Sequence, residues 1–206
     1  MGDYNTLIIN SLIGIISWYI IFYFLLWITN SMKYAKYGWR VPVIMLIQVL
    51  FLNNINLGGG PLSEYFMPPL IYLAIIITLP QETEKWFLIF YALSASLLLD
   101  VFENNIGLNS SSLVFLAFIK PYMEKVLIPK NSVDEKESLS LQVLGIQNFS
   151  VYSFFLIFLH NLFLFLLESF SSSDVLYMII KSLVSSIVTY FVIIILQLFM
   201  YKRKET

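Results

Sequence analysis

Seven apolar runs joined by short polar linkers constrain this chain more than any other feature. A hydrocarbon core about 30 Å thick calls for roughly 20 apolar residues per helix, because no water is there to pair an exposed backbone amide. The runs cover residues 7–29, 41–57, 66–79, 85–102, 110–128, 150–169 and 175–201. Only 12% of the 206 residues are charged and 59% are hydrophobic, whereas soluble domains carry about 25% charged residues. The expectation is an all-α integral membrane protein, a bundle of about seven transmembrane helices. The third run is short and opens on Pro68 and Pro69, which are tolerated at a helix start where the missing donors have no intrahelical partner anyway.

The distribution of positive charge supplies an orientation. Lys33, Lys36 and Arg40 follow the first run, and Lys85 sits between the third and fourth. Lys120, Lys125, Lys130 and Lys136 lie around the loop after the fifth, and Lys202, Arg203 and Lys204 follow the last. With seven alternating spans all of these fall on one side, while residues 53–65, 103–109 and 170–174 hold no Lys or Arg. The positive-inside rule then puts the N-terminus outside and the C-terminus in the cytoplasm. A count of six or eight spans would break this pattern.

The leader before residue 7 has no Lys or Arg, and no small-x-small cleavage site follows, so the first run reads as a retained span rather than a signal peptide. The chain has no cysteine, which rules out disulfides and thiolate metal sites. The largest polar stretch is the cytoplasmic loop at about 129–149. Its acids and bases nearly cancel, as in a solvated connector, with a docking site for a cytosolic protein as the sharper alternative.

Polar residues within apolar runs need a reason to be there. Asp100 ends the fourth run ahead of a turn containing Gly107, and it reads either as a cap for that turn or as a contact for a partner's helix. Asn104, Asn105 and Asn109 suit turns through local backbone bonding. His160 and Asn161 stand near the middle of the sixth run and should face another helix and hydrogen-bond there. A proton relay through His160 is the alternative, but the chain has no second histidine to continue it or to complete a metal site. Lys181 in the last run and Glu168 at the end of the sixth should form an ion pair, the lysine stem snorkelling outward. Gln48, Ser94, Ser96, Ser182, Ser185, Ser186, Thr189 and Gln197 read as packing and interhelical bonding residues, and Ala92 and Ala95 as points of close helix approach.

No nucleophile stands in an acid–base setting, and Gly58, Gly59 and Gly60 lack the Lys and Ser/Thr of a phosphate loop. Catalysis, cofactors and metals are therefore not expected. Nucleic acid is not an expected partner either, because the basic clusters flank membrane spans.

Three blocks carry a family resemblance: LIQVLFLNNINLGG at 46–59, LLLDVFENNIGLNSSS at 97–112 with LAFIKP at 116–121, and FLHNLFLFLLE at 158–168. Together they resemble the rod shape-determining membrane protein family MreD, over a six-helix region from about residue 32 to 206. Residues 1–31 form an extra N-terminal transmembrane helix that typical members lack. The resemblance implies a non-catalytic scaffold of the cell-elongation complex in the bacterial inner membrane. Such a scaffold binds MreC directly and works with a transpeptidase, RodA and, indirectly, MreB in side-wall peptidoglycan synthesis. It also implies a fold like the substrate-binding component of vitamin transporters, the alternative function. Those components carry an Ala-x-x-x-Ala coupling motif in their first core helix, and residues 41–57 contain no alanine.

Overall fold

The computed structural model describes residues 2–28, 32–54, 67–103, 107–129, 133–168 and 175–200, with side chains described from Ile13 onward. The described residues are all helix, turn or irregular. The helices are α1 (Gly2–Ile28), α2 (Arg40–Leu50), α3 (Leu73–Ile77), α4 (Lys85–Glu103), α5 (Leu108–Leu127), α6 (Leu141–Glu168) and α7 (Val175–Phe199), with 3-10 turns at Met32–Tyr37 and Leu52–Asn54. Four described stretches are long and apolar enough to cross a membrane: Met32–Asn54, Lys85–Glu103, Leu141–Glu168 and Val175–Phe199. The protein is thus a multi-pass membrane bundle by length and composition.

Helices α4, α5, α6 and α7 pack in sequence, each on the next, while α1 and α2 lie against α4. The short α3 sits inside and touches α2, α5 and α6. The residues before α3 do not form the helix expected over 66–79: residue 66 lies outside the described residues, and only Leu73–Ile77 is α-helical. Pro68 and Pro69 donate no backbone hydrogen bonds, and the chain enters the core as irregular backbone and a turn. Residues 69–80 are nonetheless buried without interruption. Irregular backbone survives at such depth only where protein satisfies its polar groups. Gln48 does much of this, accepting from the Ile71 N–H at 2.9 Å and donating to the Pro69 carbonyl at 3.1 Å. Thr189 accepts from the Leu70 N–H at 3.2 Å. Beyond α3, Tyr152 donates to the Ile77 carbonyl at 3.1 Å and Lys120 to the Leu79 carbonyl at 3.0 Å.

Helix α1 packs against the bundle rather than only facing outward. Trp18, Phe22 and Leu26, spaced four apart on one stripe, are buried, whereas Ile16, Ile20, Phe24 and Trp27 are exposed. Phe22 meets Tyr91 and Phe87 of α4, with ring centroids 5.8 and 6.3 Å apart. Gly38 closes this contact, since a Cβ there would stand 2.8 Å from a Phe22 ring carbon.

The linkers after α1, α3 and α5 gather at one end, hereafter the basic end. There Lys33 pairs with Glu84 at 2.6 Å, and the Glu82 N–H donates to the Glu135 carbonyl at 3.0 Å. A cavity of about 210 Å³ at this end is lined by Lys33, Lys36, Glu82 and Lys136. Two details depart from the sequence reading. Lys120, counted with the loop charges, is fully buried and forms an ion pair with Glu124 one helical turn away. The loop expected over 129–149 is shorter, because helical backbone starts at Leu141 and breaks only at Gly145, whose φ of 73° is left-handed.

A buried polar network at the Gly107 end

The site grows from the α4–α5 hairpin. Gly107 precedes α5 with φ 80°, a left-handed conformation that suits glycine. The turn folds the first α5 amides back toward α4, where Asp100 receives them. The Asn109 N–H donates to Asp100 Oδ1 at 3.1 Å and the Ser110 N–H to Oδ2 at 3.0 Å, and the Ser110 hydroxyl also donates to Oδ2. A carboxylate there satisfies otherwise orphaned amides and suits the positive pole of the helix. Asp100 is buried, and its carboxylate is spent on the start of α5.

From this cap a chain of side-chain bonds crosses the bundle. Asn109 donates to Glu103 Oε2 at 2.7 Å, and Asn53 donates to Glu103 Oε1 at 2.8 Å. Gln48 donates to Asn53 at 2.8 Å, linking the network to the irregular backbone before α3. In the other direction Tyr72 donates to Asn109 Oδ1 at 3.2 Å, and its hydroxyl lies 3.4 Å from His160 Nε2. His160 Nδ1 lies 3.4 Å from Asn161 Oδ1, and Asn161 donates to Ser186 of α7 at 2.9 Å. Because Tyr72 spends its one proton on Asn109, its contact with His160 is a hydrogen bond only with a proton on Nε2, and the Asn161 contact only with a proton on Nδ1, so a neutral imidazole makes one of the two.

Helices α2, α4, α5, α6 and α7, the 3-10 turn at Leu52–Asn54 and the segment before α3 thus meet through polar atoms in an otherwise apolar interior. Of the residues the sequence singles out, Asp100, Gly107, Asn109, His160 and Asn161 come together here. Asn104 and Asn105 lie outside the described residues. Glu168 and Lys181 stand apart from the network, with Nζ 3.3 Å from Oε2 and the lysine also over the Phe165 ring at 4.4 Å. Both are partly exposed, as snorkelling requires. Ser96 and Ser182 bond to carbonyls one turn back in their own helices, at 2.6 and 2.7 Å, rather than across helices.

The sequence reading missed Tyr72, Asn53 and Glu103 as members. Tyr72 had no signal, because its partners lie 37 and 88 residues away. It also missed the pairing of Lys120 with Glu124, although a Lys and a Glu four apart in an apolar helix are a readable sign.

The arrangement can tie helices together and hold their register. Among the described residues no group of three or more His, Asp or Glu stands ready to hold a metal ion. Compared with known families, curated proteins and solved structures, the chain matches none of them.

Proposed function

We propose that the protein is a non-catalytic scaffold of the MreD kind, holding MreC beside the side-wall peptidoglycan synthases in the bacterial inner membrane. The basic end faces the cytoplasm, as the positive-inside rule requires. The observation that carries this reading is that the polar residues of the resembling blocks are spent on one another. Asp100, Asn109, His160 and Asn161 each have protein partners inside the bundle, which makes a rigid body of helices. A rigid bundle with wide apolar faces suits helix–helix recognition in lipid, where packing and shape drive association. Exposed faces of this kind run along α1 through Ile16, Ile20 and Phe24, and along α4 through Leu93, Leu97 and Val101.

The transport alternative calls for polar groups left open to a solute, and the buried network offers bonded ones. The test is co-purification of the tagged protein with the candidate MreC from mild detergent. Recovery of a stable complex, weakened by Leu97→Trp or Val101→Trp but not by Lys125→Ala, supports the scaffold. Failure to co-purify when both proteins are folded overturns it, as does a vitamin retained through purification.

A further inference from the structure

Between α2 and α7 lies a second cavity, of about 670 Å³, within the roughly 300–1,000 Å³ typical of small-ligand sites. Val43, Ile44 and Ile47 of α2 form one wall, and Val192, Ile195 and Leu196 of α7 the other. Ile71, Ala74 and Thr78 floor it, so it exists because α3 is too short to fill the space between its neighbours. Its rim is open to the bundle surface, since Val43 and Ile195 are about half exposed.

The mouth of this slot differs from its walls. Arg40 stands there at the basic end, and Ser138 and Ser140 also line the cavity. Its guanidinium donates to Thr78 at 3.3 Å and stacks over Tyr37 at 5.0 Å, but no carboxylate among the described residues pairs with it. Its Nε is buried and has no acceptor. The side chain as a whole is only half-buried, so the cation is open at the mouth, and an anion there would neutralise it. Trp39 beside it is half exposed, as an aromatic at a membrane interface would be.

One cation over a long apolar slot matches an amphiphile with an anionic head. We propose that the slot binds an anionic phospholipid from the leaflet at the basic end, its phosphate on Arg40 and an acyl chain between α2 and α7. Basic pockets between membrane helices on the cytoplasmic side are suited to such headgroups. A partner's helix is the competing occupant, but an apolar helix would leave the half-buried Arg40 cation facing hydrocarbon without a counter-charge.

The test is native mass spectrometry of the full chain released from detergent, titrated with phosphatidylglycerol or phosphatidylcholine. One phosphatidylglycerol should be retained in preference to phosphatidylcholine. Arg40→Gln should weaken phosphatidylglycerol at least about fivefold, the effect of one cationic side chain near a membrane surface, while Arg40→Lys keeps most of the binding. Val43→Trp at the open rim should exclude both lipids without lowering the melting temperature, which guards against misfolding of the Arg40 variants. Equal retention of the two lipids, or an Arg40→Gln variant that binds like the parent, overturns the proposal. So does a photo-crosslinker at residue 43 that captures a polypeptide and no lipid. Lipid retention and MreC co-purification are separate readouts, so either proposal can fail without the other.

Discussion

The two ends of the bundle solve the same problem with opposite chemistry. At the Gly107 end, Asp100 and Glu103 are held by neutral donors: backbone amides, a hydroxyl and the side-chain amides of Asn109 and Asn53. At the basic end, Glu124 is held by the ammonium of Lys120, with the Tyr152 hydroxyl 3.4 Å away. The difference follows from what each carboxylate must join. Asp100 caps a helix start, where amides converge and the helix dipole favours negative charge. Glu124 lies near the end of α5, beyond the reach of such amides, and a cation from its own helix is the nearest partner. Neutral donors lock a turn, whereas an ion pair holds two charges that become a liability if separated.

Breaking the ion pair should therefore have the largest effect. Lys120→Met leaves Glu124 buried and unpaired and should cost about 3–5 kcal/mol in reversible unfolding in bicelles. Adding Glu124→Leu should recover much of that loss, and a double variant as unstable as the single one would show that the Leu79 carbonyl, not the charge, is what Lys120 serves. Asp100→Ala should cost about 2–3 kcal/mol by the same measurement, because charged acceptors and a helix cap are lost together. Asp100→Asn, which keeps acceptor capacity, should cost less than half as much. If both substitutions are equally mild, the neutral-donor end does not depend on its carboxylate.

Smaller effects sharpen the contrast. Tyr72→Phe removes the hydroxyl between His160 and Asn109 and should cost about 0.6 kcal/mol, typical of interhelical hydrogen bonds in membranes. A loss above 2 kcal/mol would mark the network as strongly cooperative. Lys181→Ala breaks a partly exposed pair and should cost only about 0.2–1 kcal/mol, falling with added salt. At the basic end the exposed Glu84 is held below the ordinary carboxylate value of 4.5 by its bond to Lys33 and then by Trp86. Its contribution is present above that value and is lost as pH falls through the lowered one. Trp86 emission should change in that acid range, and Lys33→Ala should move the midpoint upward.

The bounds of α4 and α7 were legible in the sequence to within a few residues, whereas α6 starts at Leu141, well before the run at 150–169. Runs at 85–102 and 175–201 became Lys85–Glu103 and Val175–Phe199, because apolar length is a local property that a bilayer reads directly. The run at 41–57 was less faithful: α-helix stops at Leu50, and Asn54 donates to the Val49 and Leu50 carbonyls at 3.2 and 3.0 Å, closing the helix end. The run at 66–79 failed as a helix because apolar length does not show that its amides will be met by Gln48 and Thr189. Of the site, the Asp100–Gly107 turn was visible because its parts lie within ten residues of one another.

Sequence was enough for the membrane class, the places of the long helices and the clustering of positive charge between alternate runs, all of which depend on neighbours in the chain. Tertiary structure alone decided that α3 is a short buried segment and that α1 packs through Trp18, Phe22 and Leu26. It also decided that Asp100 turns inward and that a slot opens beside Arg40. Each of these depends on partners brought together by folding, such as Leu70 with Thr189 or Asn53 with Glu103, which lie 119 and 50 residues apart. In an apolar interior a polar group takes the partner that folding places within reach, and neither composition nor periodicity carries that information.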